Sequence, residues 1–285
     1  MGITLKAYNL EKRYGDVIAL KGISFSMESN ILAVLGPNGS GKTTLLSIMA
    51  GLRYPTRGKL YINGFEPYKD RDRALKEISF MFERPKLNVG LRVIDIINYI
   101  KDSVGLSSNA EEFIERMGIM NFARRKLYDL STGEAQLLGI FVSLFLNDEG
   151  IVILDEPLAH LDVRRAGILS NILRGRGNII FTTHVPDEAE SLADYILVLD
   201  NGSLVWKGSR EELIRNDIYE VFVEPCQIAS FKKIMDEVGS NIITWFGNTC
   251  LIEQIEESLL ITLIHKGIVY GFKKSGVKNI YVKTD

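Results

Sequence analysis

The sequence predicts an α/β protein with a second, smaller α+β unit behind it, and three patterns carry that reading. An apolar strand, "ILAVL", runs into a glycine-rich turn and then a helix over about Lys42 to Ala50. Farther on, apolar runs alternate with helical periods: "GIVILDEP", a helix near Val163 to Leu173, "NIIFTTH", and a helix over Asp187 to Ala193. After Asp217 the order changes to strand, helix, strand, strand, helix, strand, which is an α+β order rather than a continuation of the first unit.

The remaining elements follow in chain order. The opening segment alternates apolar and polar positions ("ITLKAYNL", "ISFSME"), which predicts an antiparallel β layer turning at Tyr14-Gly15-Asp16. "GKLYINGFEP" reads as a hairpin-like stretch, and "EISFMFE" as a strand that ends near Pro85. From Leu91 to about Asn147 the periodicity is helical, with charged linkers and no strand signal. "YILVLDNGSLVWKG" gives two strands around an Asn-Gly turn. "SREELIRN" opens with a capping box of Ser209 and Glu212, so a short helix closes the first unit. The expected division is therefore residues 1–216, with a helical subdomain at about 88–147, and residues 217–285. In the second part "IYEVFVEP", "NIITWFG", "NTCLIEQI" and "VKNIYVKTD" are the strands, with helices over "CQIASFKKIMDEVG" and "SLLITLIHKGIVYGFKKSG". That is the split order of ferredoxin-like modules.

Bulk properties exclude several classes of function. The 285 residues are 46% hydrophobic and 25% charged, an ordinary globular balance with material for a sizeable core. A net charge of -2 supplies no basic footprint for nucleic acid and no polybasic segment for anionic lipid. Cys226 and Cys250 lack metal-type spacing and read as ordinary buried thiols of a reducing cytosol. The start "MGITLKAYNL" carries charge where a signal peptide needs an apolar stretch. The longest apolar run, "LLGIFVSLFL" from Leu137 to Leu146, is about half of a spanning helix. The expectation is a cytoplasmic protein with no membrane insertion of its own, reaching a membrane only through a protein partner.

The chemistry starts at "GPNGSGKTT", which fits the P-loop spacing G-x-x-x-x-G-K-T between a strand and a helix. Gly36, Pro37, Asn38, Gly39, Ser40 and Gly41 would turn their backbone N–H groups onto phosphate oxygens at a helix N-terminus. Lys42 would reach the terminal phosphates, and Thr43, followed by Thr44, would offer its hydroxyl to Mg²⁺. A nucleoside triphosphate is the expected ligand. In "IVILDEP", Asp155 and Glu156 stand at the carboxyl end of an apolar strand, where a magnesium-organising carboxylate and a group that polarises water belong. His184 ends another apolar strand in "FTTHVPDEA". "YDLSTGEAQL" reads as a helix start, with Ser131 as cap, Gly133 allowing close approach and Glu134 suiting the helix dipole.

The order P-loop, "LSTGE", "ILDEP", "LAHLD", "TTH" resembles that of the ATP-binding subunits of ABC transporters, over Met1 to about Asn216. The resemblance implies a P-loop NTPase with a RecA-like core, an antiparallel β subdomain and an α-helical subdomain, using ATP and Mg²⁺. It implies that Tyr14 stacks on adenine, that Glu156 is the general base and that His184 touches the γ-phosphate. Asp162 would end a loop crossing to a second copy of the protein. "LSTGE" is similar to the family signature LSGGQ, so Ser131 and Gly133 would cap the γ-phosphate of ATP held by that second copy, in a two-fold ATP-sandwich dimer. Glu83 in "FMFERPK" matches the family's Q-loop glutamine and would join Thr43 and Asp155 as a metal ligand.

The sequence departs from the family at Glu83, at Thr132 and Glu134 in the signature, at Leu137 where a basic residue often stands, and at His160 in the crossing loop. The partner implied is an integral membrane permease, which would hold this chain at the inner face of the cell membrane. Glu83 and the short helical subdomain point towards an exporter of the efflux type. A soluble ABC ATPase in cofactor assembly is the alternative, and the C-terminal module could serve as a ligand-sensing or dimer-forming regulator.

Overall fold

The computed structural model describes residues 2–81, 90–104, 110–147, 149–214, 218–253 and 255–274. The first strands are β1 (Ile3–Tyr14) and β2 (Val17–Ser29), an antiparallel pair turning at Gly15-Asp16. Ile3, Leu5 and Ala7 point inward on β1, then the register shifts and Leu10 takes over as the buried residue. The extra residue lies at Tyr8-Asn9, with Asn9 at φ 45° and its N–H donated to Ser24 Oγ (2.8 Å), so the alternation changes phase through a bulge.

Next come β3 (Ile31–Leu35), α1 (Lys42–Met49) and β4 (Arg57–Ile62). β4 adds to β1 to complete a sheet of order β2-β1-β4. The "GKLYINGFEP" stretch closes on itself through a bridge between Ile62 and Phe65. Then follow α2 (Arg71–Glu77), β5 (Ile78–Met81), α3 (Val93–Val104), α4 (Ala110–Arg116) and α5 (Thr132–Leu146). The α/β alternation resumes with β6 (Ile151–Leu154), α6 (Val163–Arg176), β7 (Ile179–Thr183), α7 (Pro186–Leu192), β8 (Tyr195–Asp200) and β9 (Ser203–Ser209). The turn between β8 and β9 has Asn201 and Gly202 both at positive φ (45° and 79°), as the Asn-Gly pair predicts.

These strands form a six-stranded sheet of order β5-β6-β7-β3-β8-β9, in which β5, β6, β7, β3 and β8 run parallel. β3, β6 and β7 are buried along their whole length, which explains why they read as unbroken apolar runs. One core joins them to the inner face of the antiparallel sheet and to Leu45, Leu46, Ile48 and Met49 of α1. Each such fully buried leucine or isoleucine contributes roughly 1.5–3 kcal/mol. The parallel strands therefore have fixed ends, and the loops after β3, β6 and β7 leave the sheet side by side.

The chain divides into two compact units, Met1–Lys207 and Gly208–Asp285. The second holds α8 (Arg210–Ile214), β10 (Ile218–Val223), α9 (Ile228–Val238), β11 (Asn241–Phe246), β12 (Thr249–Glu253), α10 (Glu257–His265) and β13 (Val269–Lys274). The Ser209–Glu212 capping box forms in both directions: Glu212 N donates to Ser209 Oγ and Ser209 N to Glu212 Oε2, each at 3.2 Å. The antiparallel order β11-β12-β10-β13 is that of a split β-α-β-β-α-β module.

Two expectations fail in this unit. The helix expected over "SLLITLIHKGIVYGFKKSG" stops at His265, because Gly267 turns at φ 67° and Val269–Lys274 pair with β10 as the fourth strand. "VKNIYVKTD", expected as that strand, lies outside the described residues. The second concerns the cysteines: Cys250 is buried, with its thiol pushed up to about 12 by burial, but Cys226 is exposed. Among the described residues no helix is long and apolar enough to cross a membrane.

Candidate active site

The loop after β3 is held at both ends by backbone bonds. Gly36 N donates to Thr183 O (3.2 Å) at the end of β7, and Gly202 N donates to Ser40 O (3.1 Å). Gly41 then caps α1 at φ 101°, and a Cβ there would stand 2.5 Å from Ala19 O. Only glycine fits that position. No side chain caps α1 and no acidic residue lies in its first turn. Its leading N–H groups and positive dipole end are thus available to an anion.

Lys42, 6% exposed, donates from Nζ to Gly36 O (2.7 Å) and Pro37 O (3.1 Å) and stands 3.7 Å from Glu156 Oε1. Burial lowers its pKa, while the charges of Glu156 and Asp155 act in the opposite sense. Thr43 Oγ1 donates to Asp155 Oδ2 (2.8 Å). Thr182 Oγ1 donates to the other oxygen of Asp155 and accepts from Glu156 N (2.9 Å), so a single hydroxyl fixes both acidic residues. Glu156 has φ 46°, a left-handed backbone costly for a side chain of its kind, and its Oε2 lies 3.0 Å from His184 Nδ1. Beneath His184, Thr183 Oγ1 donates to Glu188 and accepts from Val185 N (3.0 Å). Burial, helped by the charge of Glu156, raises the Glu188 pKa.

A cleft of about 680 Å³ opens over these groups, lined by Asn38, Gly39, Gly41, Lys42, Thr43, Thr44, Asp155 and Glu156, with Val17, Gln136 and His160 on its walls. The residues expected to act on phosphate and water thus converge. Tyr14 ends β1 and is not among the lining residues; Lys12 Nζ stands 5.2 Å and the Arg53 guanidinium 5.4 Å from its ring centroid. Asp162 caps α6 by accepting from Arg165 N (2.9 Å). Glu83 lies outside the described residues.

Ser131 and Gly133 also stand apart from the cleft, at the start of α5. Here the helix caps itself. Glu134 N donates to Ser131 Oγ (3.3 Å), and Ser131 N donates to Glu134 Oε2 (2.8 Å). Glu134 is 7% exposed, and Arg125 Nη1 reaches both of its oxygens (3.0 and 3.1 Å). Burial favours its neutral form, but the Ser131 bonds and the charges of Arg125 and Arg165 outweigh it and hold the pKa below the usual carboxylate value.

A family model described as "ABC transporter" matches residues 20–159. A Fe(3+) ions import ATP-binding protein of Brucella suis biovar 1 is 31% identical over 245 residues, spanning 78% of this chain and 68% of that protein. The chain belongs to the ABC transporter ATP-binding family. It is an ATP-binding ATPase subunit of a transporter, and its first unit is the family's P-loop NTPase cassette. Solved structures share the fold. The ATP-binding subunit of an ABC transporter superposes with a TM-score of 0.65 at 24% identity, covering 74% of this chain and 92% of that one. A dimeric ATP-binding cassette in a post-hydrolysis state, bound to ADP and phosphate, gives 0.62 at 23% identity, covering 72% and 98%.

These comparisons remove the support for an exporter, because the similar protein is named for import. Four residues bonded to these groups carried no sequence expectation: Gln136, Thr182, Arg125 and Glu188. Thr182 and Gln136 had a usable signal, as polar side chains within mostly apolar elements. Arg125 and Glu188 had none in the sequence, since their partners are set by the packing.

Proposed function

We propose that this chain hydrolyses ATP in the cleft between the P-loop and the ends of β6 and β7, and thereby drives import through a membrane permease. The observation that carries the catalytic part is the placing of the Glu156 carboxylate between Lys42 Nζ (3.7 Å) and His184 Nδ1 (3.0 Å) at the cleft. Lys42 would exchange the carbonyls of Gly36 and Pro37 for oxygens of the terminal phosphates. The uncapped start of α1 and the loop of Gly36, Pro37, Asn38, Gly39, Ser40 and Gly41, with Thr44, would take the rest of that charge. Glu156 would accept the proton of the attacking water, and His184 would hold the carboxylate and meet the γ-phosphate. Tyr14 would stack on adenine from the end of β1.

Thr43 and Asp155 offer a hydroxyl and a carboxylate already 2.8 Å apart, a hard-oxygen pair that suits Mg²⁺. The ion would neutralise charge on the phosphates as the bond breaks. Ser131, Gly133 and the Asp162 loop would serve a second copy of the chain. With Ser131 N and Glu134 N engaged in the capping box, the N–H groups of Thr132 and Gly133 and the Ser131 hydroxyl proton remain for that role. The import direction rests on the name of the similar Brucella protein. In this reading the chain sits on the cytoplasmic side of the membrane, against the permease.

Glu156→Gln tests the core of the proposal. ATP should still bind, turnover should fall at least about a hundredfold with the base removed, and an ATP-bound dimer should accumulate in sizing runs. Retained turnover would take Glu156 out of the base role. Direction is tested by reconstituting the chain with its permease in vesicles; ATP-driven efflux from the cytoplasmic side would overturn import.

A further inference from the structure

We infer that Gln136, one turn into α5, is a positioning residue that holds the general base in its productive backbone conformation. This rests on the reading of Glu156 as the base. Gln136 is 4% exposed, and its Nε2 donates to Glu156 O (2.9 Å) and Pro157 O (3.0 Å). Two carbonyls cannot bond an amide oxygen, so the nitrogen must face them, and both of its hydrogens are used.

The base itself needs such support. Glu156 stands at φ 46°, where an L-residue is held only if its surroundings over-determine it. Its backbone N–H and C=O are each bonded by a side chain from a different element, and the C=O also accepts from Ala159 N (3.2 Å) in its own loop. Thr182 of β7 accepts from the N–H (2.9 Å), and Gln136 of α5 donates to the C=O (2.9 Å). Rotation of the Glu156 peptide would break one bond or the other. The Thr182 bond ties the base to the strand that carries His184, and the Gln136 bond ties it to the helix that opens with the signature.

A second contact strengthens that tie. A Cβ on Gly133 would meet His160 O at 3.1 Å, so the first turn of α5 packs against the far end of the loop that begins at Glu156. α5 therefore meets this loop at two places, the carbonyls of Glu156 and Pro157 and the carbonyl of His160. A shift of the helix start moves the loop, and with it the carboxylate of its own site.

The test is a double-mutant cycle on the full chain, with Gln136→Met and Glu156→Gln. Gln136→Met keeps the volume and removes the two donors. It should lower kcat about 10- to 100-fold, the size of effect that an ångström-scale misplacement produces. Affinity for a fluorescent ATP analogue and the melting temperature should stay near those of the parent. In the Glu156→Gln background the same change should cost less than about twofold, because a residue that acts through the base has nothing left to position. Gln136→Glu, which sets an oxygen against the two carbonyls at nearly the same shape, should reproduce the fall in kcat. Unchanged kcat in Gln136→Met, or equal losses with and without the base, would overturn the inference. Loss of folding or of ATP binding in both variants would do the same, since Gln136 would then be structural. If Glu156→Gln itself keeps turnover, the base reading fails instead.

Discussion

Two helices of the first unit begin in opposite ways. α1 opens with Gly41, has no side-chain cap and carries no acid in its first turn. α5 opens with Ser131 in a closed capping box, and its acid, Glu134, is clamped by Arg125. Both present the positive end of a helix dipole. At α1 no side-chain cap and no acid within the first turn takes that place, which leaves its leading N–H groups to an anion. At α5 a buried carboxylate has already taken that place, and Ser131 and Thr132 are exposed while Gly133 is buried. In the proposed reading one helix start holds a phosphate group and the other touches one held by a second copy.

Three substitutions press on this contrast, in falling order of effect. Gly41→Ala should break the α1 start outright. Its methyl would lie 2.5 Å from Ala19 O at a φ of 101°, and ATP affinity should fall at least about a hundredfold by fluorescence titration, some 2.7 kcal/mol. Affinity within threefold of the parent would show that the loop does not need this geometry. Ser131→Ala removes the cap from α5 and should cost about 1 kcal/mol in urea unfolding, with ATP affinity unchanged. An equal loss of affinity would erase the distinction between the two starts.

Glu134→Gln is the mildest of the three at neutral pH, and its signature is in the pH profile. Glu134 has its folded pKa below the unfolded value, so its stabilisation is present above the unfolded pKa near 4.5 and is lost as pH falls through the folded value. The parent should therefore lose stability through that acidic window more steeply than Glu134→Gln does. Parallel profiles would mean that the clamp contributes nothing through its charge.

The contrast also explains what could be read in advance. The strands and the polar groups at their ends were legible because fully buried parallel strands leave continuous apolar runs, and the candidate site residues stand directly after them. Asp155, Glu156 and His184 are of that kind. The capped character of the α5 start was half legible. Ser131 and Glu134 spell a capping box, but Arg125 reaches Glu134 from a loop segment outside the helix, and no local pattern announces that. Gln136 looked like one polar residue on an apolar helix until the turn at Glu156 gave it two carbonyls to hold. In the second unit "SLLITLIHKGIVYGFKKSG" was ambiguous by period, as short apolar runs are. Gly267 and the pairing of Val269–Lys274 with β10 decided it.

The Thr182 hydroxyl has an implication for how this sequence can drift. In β7 it occupies an interior position, where the neighbouring residues Ile179, Ile180 and Phe181 could trade among apolar side chains with modest repacking. Thr182 cannot join that exchange. Valine matches its shape, yet it would cut the bond to Asp155 and the bond to Glu156 N together. Only serine or threonine at 182 can supply the hydroxyl that both bonds need, so a strand buried along its whole length contains a polar position tied to Asp155 and Glu156.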